Sequence, residues 1–169
     1  MLKQIGVEPL AEGYTWDDYT AWIEKVSEAG KGEKPAIYGS GDYTGTFWFF
    51  LQWLIQQGVE PFTADGQLNF DETQMTEWLN QGQELRDSGA FFPIKRAKQL
   101  EPLSGFTKSE VAGESSWDNF LASYVAETGD EIKMLPMPSG ENGPQQFYKP
   151  SMLLSASAQS EQPEAAGGR

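Results

Sequence analysis

Apolar residues recur at helical spacing in four stretches of the chain. Trp16, Tyr19, Ile23 and Val26 share one face between Trp16 and Ala29. Thr15 stands at the N-cap of that stretch, Asp18 sits where a capping-box acid belongs, and Gly30 stops the run. From Thr46 to Gln57 the pattern is apolar almost all round, from Phe47 and Trp48 through Leu54 and Ile55. Such a pattern predicts a helix buried on most faces, here ended by Gly58. Asp71 is a good N-cap for a third helix running through about Asp87, striped by Met75, Trp78, Leu79 and Leu85. A fourth helix is expected from Asp118 to Thr128, carrying Phe120, Leu121, Tyr124 and Val125 and closed by Gly129.

Between these helices the apolar runs are short. Pro35-Ala36-Ile37-Tyr38-Gly39 is bounded by glycine, as a buried strand would be, and Glu110 to Glu114, Ile132 to Leu135 and Phe147 to Ser157 are further strand candidates. The predicted class is therefore α/β and rich in helix, with a small sheet flanked by helices. Gly39 to Gly45 and Ser139 to Gln146 are expected loops, and Phe91 to Thr107 is expected to be irregular, with Lys95, Arg96 and Lys98 as a solvated basic cluster. Pro136 and Pro138 fix the backbone after Leu135 and exclude helix there. The expected divisions are a lobe over residues 1–135, a hinge-proximal segment and returning strand over 136–157, and a polar tail over 158–169 that is frayed or engineered.

Composition removes several functions. With 12 Lys and Arg against 25 Asp and Glu, the net charge is -13, which repels nucleic-acid phosphates and anionic membranes. Histidine and cysteine are both absent, so the usual general base, the thiol nucleophile, disulfides and the commonest zinc ligands are missing together. No metal site and no cofactor are expected: the glycines from Gly39 to Gly45 lack the lysine and spacing of a phosphate loop. No apolar run approaches the roughly 18 residues of a membrane span. Met1 is not followed by the apolar segment of a signal peptide.

Six segments, in order, resemble the C-terminal lobe of family 1 extracellular solute-binding proteins, the group that includes maltose-binding protein. They are Leu2 to Pro9; Thr15-Trp16-Asp17-Asp18-Tyr19; Phe106 to Ala112, with Ser109 where the family has Gly and then Gly113 where it has Met; Ser115-Ser116-Trp117; Leu135 to Gly140; and Met152 to Ser157 with Gln162 to Ala166. The resemblance implies one lobe of a type II periplasmic-binding-protein-like fold, without its N-terminal lobe. It implies a non-enzymatic receptor that binds a small solute, above all a sugar, between two lobes. Such a receptor hands its ligand to the membrane permease of an ABC importer. The implied setting is extracellular, periplasmic or lipid-anchored at the cell surface, and a monomer is expected.

In that family aromatic rings stack on the apolar faces of a sugar while carboxylates and amides bond its hydroxyls. Trp117 is the first ligand candidate, since Ser116, Glu114 and Asp118 place polar partners beside a large flat ring. Trp48, Phe47 and Tyr43 share a second position, at the start of the apolar helix. Asp42 could cap that helix or accept from a sugar hydroxyl. Gln145, Gln146, Tyr148 and Lys149 are weaker candidates for the cleft floor. Two other functions compete: a glycosidase fragment using Asp42, Glu114 and Asp118, and an acidic protein-interaction domain presenting some of the six tryptophans.

Overall fold

The computed structural model describes residues 1–140, 142–143, 145–146 and 155–166. Among the described residues the regular structure is helical: α1 (Leu2–Ile5), α2 (Trp16–Gly30), α3 (Phe47–Gln56), α4 (Glu72–Gln81), α5 (Gln83–Ser88), α6 (Ile94–Leu100), α7 (Leu121–Thr128) and α8 (Pro163–Ala166). Two 3₁₀ turns, Tyr43–Gly45 and Asp118–Phe120, lead into α3 and α7. The capping box at Thr15 is complete: the Asp18 N–H donates to the threonine hydroxyl, and the Asp18 carboxylate accepts from the Thr15 N–H. Asp71 caps α4 in the same reciprocal way with Gln74.

The expected strands shrink to single bridges. Tyr38 pairs in parallel with Val111 and Ser40 with Phe91, so the segment after α2 lies between two others as the centre of a minimal sheet. Burial against α2 makes this seam tight. At Gly39 a Cβ would stand 2.5 Å from the Ile23 Cα, so only glycine lets the segment lie flat on the helix. The Gly39 N–H donates to Ser27 Oγ, and Ser27 Oγ donates to the Ala90 carbonyl, which ties three elements through one buried hydroxyl. Ile132 to Leu135 forms no bridge. The strand expected from Phe147 lies mostly outside the described residues, as do Tyr148 and Lys149, and Ser155 to Ser157 is irregular.

Two more expectations are corrected. The third helix is two, α4 and α5, because it breaks at Gly82, a residue with poor helix propensity. Phe91 to Thr107 contains α6, and Arg96 is no free solvated cation: its guanidinium grips the buried Glu110 carboxylate, with Nε at 2.8 Å. Within the polar tail, Pro163–Ala166 forms a turn of helix, where the resemblance places a helix start.

The core is aromatic. Trp78 of α4 is fully buried; its ring packs edge-on to Trp16 and Tyr43, and its indole N–H donates to the Thr44 carbonyl at 2.7 Å. Around it α2 supplies Tyr19 and Ile23, and α3 supplies Phe50, Leu51 and Leu54. The near-continuous apolar run of α3 is explained by this position: Phe50 to Leu54 and Gln56 are all buried.

Candidate ligand-binding site

The N-terminal half of α3 reaches the edge of this core. Trp48 is half-buried, and its ring lies 6.2 Å from that of Trp117, the two planes crossing at 65°. Trp117 is the extended residue just ahead of the 3₁₀ turn Asp118–Phe120, so the backbone bends sharply after it. Phe47 continues the aromatic edge, 43% exposed, its ring 6.1 Å from Trp48 and 6.3 Å from Phe70.

The residues before Trp117 are held by two tyrosines from different helices. Tyr19 of α2 donates to Ser40 Oγ at 3.0 Å and lies 3.1 Å from Ser115 Oγ, a contact in which the serine can donate. Tyr124 of α7 donates to Ser116 Oγ at 3.3 Å, while its ring stacks on Phe120 and meets Phe106 edge-on. Burial raises both phenols, and the Glu114 charge adds to each. Glu114 keeps access to solvent at its outer side, yet the protein around it pushes its carboxyl up to about 7. Among the described residues no Lys or Arg pairs with it.

Trp48 and Trp117 are thus in ring contact, with Glu114, Ser116 and the exposed Asp118 close to Trp117 along the chain. Two candidates do not join them. Tyr43 is 3% exposed and belongs to the core, edge-on to Trp78 and Phe91, where burial pushes its hydroxyl up to about 12. Its place one turn ahead of an apolar helix gave no sign of which side its ring would take. Asp42 is committed to structure: it accepts from the Thr44 N–H at 3.0 Å and hydroxyl at 2.6 Å, and pairs with Arg86 at 3.0 Å. Capping, rather than ligand contact, accounts for it. Tyr124 was missed as a site residue because it falls on the apolar stripe of its own helix. No cluster of potential metal ligands occurs among the described residues.

The helix-rich lobe thus carries an aromatic edge with hydroxyls beside it and a carboxyl that no Lys or Arg among the described residues pairs. The chain belongs to the bacterial extracellular solute-binding protein family, whose description matches residues 1–168. Its fold is also that of an extracellular solute-binding protein family 1 from Alicyclobacillus acidocaldarius subsp. acidocaldarius DSM 446. That protein is 20% identical, with a TM-score of 0.65 over 98% of this chain and 41% of the other. The ABC substrate-binding protein Lmo0181 from Listeria monocytogenes, in complex with cycloalternan, is 21% identical, with a TM-score of 0.54 over 71% of this chain and 31% of the other. The chain spans less than half the length of either structure. No curated protein matches at comparable stringency.

Proposed function

We propose that this chain forms one wall of a carbohydrate-binding cleft in the receptor of an ABC importer. The observation that carries the reading is the Trp48–Trp117 pair flanked by Glu114, Ser116 and Asp118. A sugar ring has an apolar face for an indole and an equatorial rim of hydroxyls for carboxylates and serines. Phe47 extends the stacking edge. Asp42 and Tyr43 hold the wall from behind. Membership of a solute-binding family supports the reading, and so does the cycloalternan bound by the Listeria protein.

In this proposal residues 1–135 are the lobe, 136–157 carry the chain past the hinge, and a second lobe supplies the facing wall. Ligand bridging both walls stabilises the closed form, which docks on the permease outside the cytoplasmic membrane. Binding and closure need no covalent step. The test is calorimetry and tryptophan fluorescence on the two-lobed protein, titrated with cycloalternan, maltotriose and other neutral oligosaccharides. Saturable binding is expected, and Trp117→Ala weakens it tenfold or more, about 1.4 kcal/mol. Silence across all sugars, with a response to another solute class, sinks the carbohydrate assignment.

A further inference from the structure

Gln52 and Gln56 occupy successive turns of one face of α3, one and two turns after Trp48. Both are buried, at 2% and 0% exposure. They differ in how their amides are satisfied. Gln56 accepts from the Trp16 indole N–H at 2.8 Å and donates to the Pro138 carbonyl at 2.7 Å, so both ends are used. Gln52 donates its Nε2 to the Gln145 carbonyl, and its Oε1 has no partner. Turning the amide over would set two carbonyl oxygens against each other, so the Gln145 carbonyl fixes the bare oxygen in place. The next residue along that loop, Gln146, has a buried Nε2 that is also without a partner.

A bare acceptor on α3 and a bare donor on the residue after Gln145, whose carbonyl α3 touches, are therefore both buried a turn or more below Trp48. Buried polar groups are nearly always paired, and leaving two unpaired destabilises the fold. We propose that Gln52 and Gln146 are reserved for hydroxyl groups of the bound ligand, one donating to Gln52 Oε1 and one accepting from Gln146 Nε2. This rests on the carbohydrate reading above and narrows it. A hydroxyl satisfies either amide. A carboxylate can only accept and would face the Gln52 oxygen, while an ammonium can only donate and would face the Gln146 amide. The pair selects neutral, hydroxyl-bearing solutes against acidic and amino sugars.

The test uses wild type, Gln52→Met and Gln146→Met in the two-lobed protein. Each is measured by thermal unfolding without ligand and by calorimetry with cycloalternan, maltotriose, trigalacturonic acid and chitosan trimer. Wild type is expected to bind a neutral sugar at least tenfold more tightly than either charged one. Gln52→Met should lose at least tenfold in that affinity, and Gln146→Met should lose as much while its Tm stays level or rises, because it removes an unpaired buried donor. A residue with only a structural role would give the opposite pattern, a lower Tm and unchanged affinity. If Gln52→Met does not fold, Gln146→Met on the loop decides alone. A wild type that binds a neutral sugar, with both variants binding equally well, shows that water alone fills the site and overturns the inference while sparing the carbohydrate reading. A wild type that ignores every probe sinks that reading and this one together.

Discussion

Glu114 holds its proton more tightly in the folded protein, about 7 against an ordinary 4.5, because burial disfavours the carboxylate and no cation among the described residues offsets it. The folded state therefore binds more protons than the unfolded one between those two values, and linkage makes stability fall as pH rises through that window. Above pH 7 the full penalty is present; below pH 4.5 it is gone. Glu114→Gln should thus raise Tm relative to wild type at pH 8, and the difference should shrink towards pH 5, read by parallel thermal melts across that range. Solvent access to the carboxyl keeps the effect modest. A constant difference between the two proteins would show that Glu114 titrates normally. The neighbourhood of Trp117 was legible from its flanking serines and acids. What perturbs Glu114 was not, since its burial arises only when the chain is folded around it.

Among the helices, those with an apolar stripe or a good cap were visible, because one buried face and one capping side chain are both local patterns. The ends of α2, α3 and α4 fall within a residue or two of where Thr15, Gly30, Gly58 and Asp71 put them. α6 was invisible for the same reason in reverse. It buries no residue, and Ile94 is 72% exposed, so no periodicity betrays it. Its anchor is the Arg96 fork on Glu110, whose carboxyl the guanidinium holds below the ordinary range. Arg96→Met should lower stability at pH 7, as expected for the loss of a charged hydrogen-bonded pair with one exposed partner. Because the Glu110 value is depressed, that contribution is present above its unfolded value and fades as pH falls through the folded one. Urea unfolding at pH 7 and pH 4 checks both statements; equal losses at the two pH values would assign the effect to packing.

For the whole molecule, the proposed role as one wall of a cleft means that this chain by itself does not close on a ligand. The chain as described here should bind sugar at least tenfold more weakly than the two-lobed protein, since the facing contacts and the closure are missing. Side-by-side calorimetry of the two forms with one sugar measures this. Comparable affinity would place the entire site on this chain. An open groove of about 610 Å³ along Ala21, Glu24, Lys25, Tyr38 and Gly89 contains none of the predicted ligand residues and offers such a site no support.

By itself the sequence determined the helix-rich lobe, the identities of its major helices, the family, and the aromatic residues from which a stacking wall can be drawn. All of these follow from periodicity, caps and ordered local motifs, which act over a few residues. Tertiary structure alone decided which ring faces outward: Tyr43 turns into the core against Trp78 while Trp48, five residues later, meets Trp117. It also paired Asp42 with Arg86, left Glu114 without a counter-ion among the described residues, and left Gln52 half satisfied beside a fully satisfied Gln56. Each of these outcomes depends on groups brought together from far apart in the chain, and burial and pairing are properties of that assembly rather than of any residue.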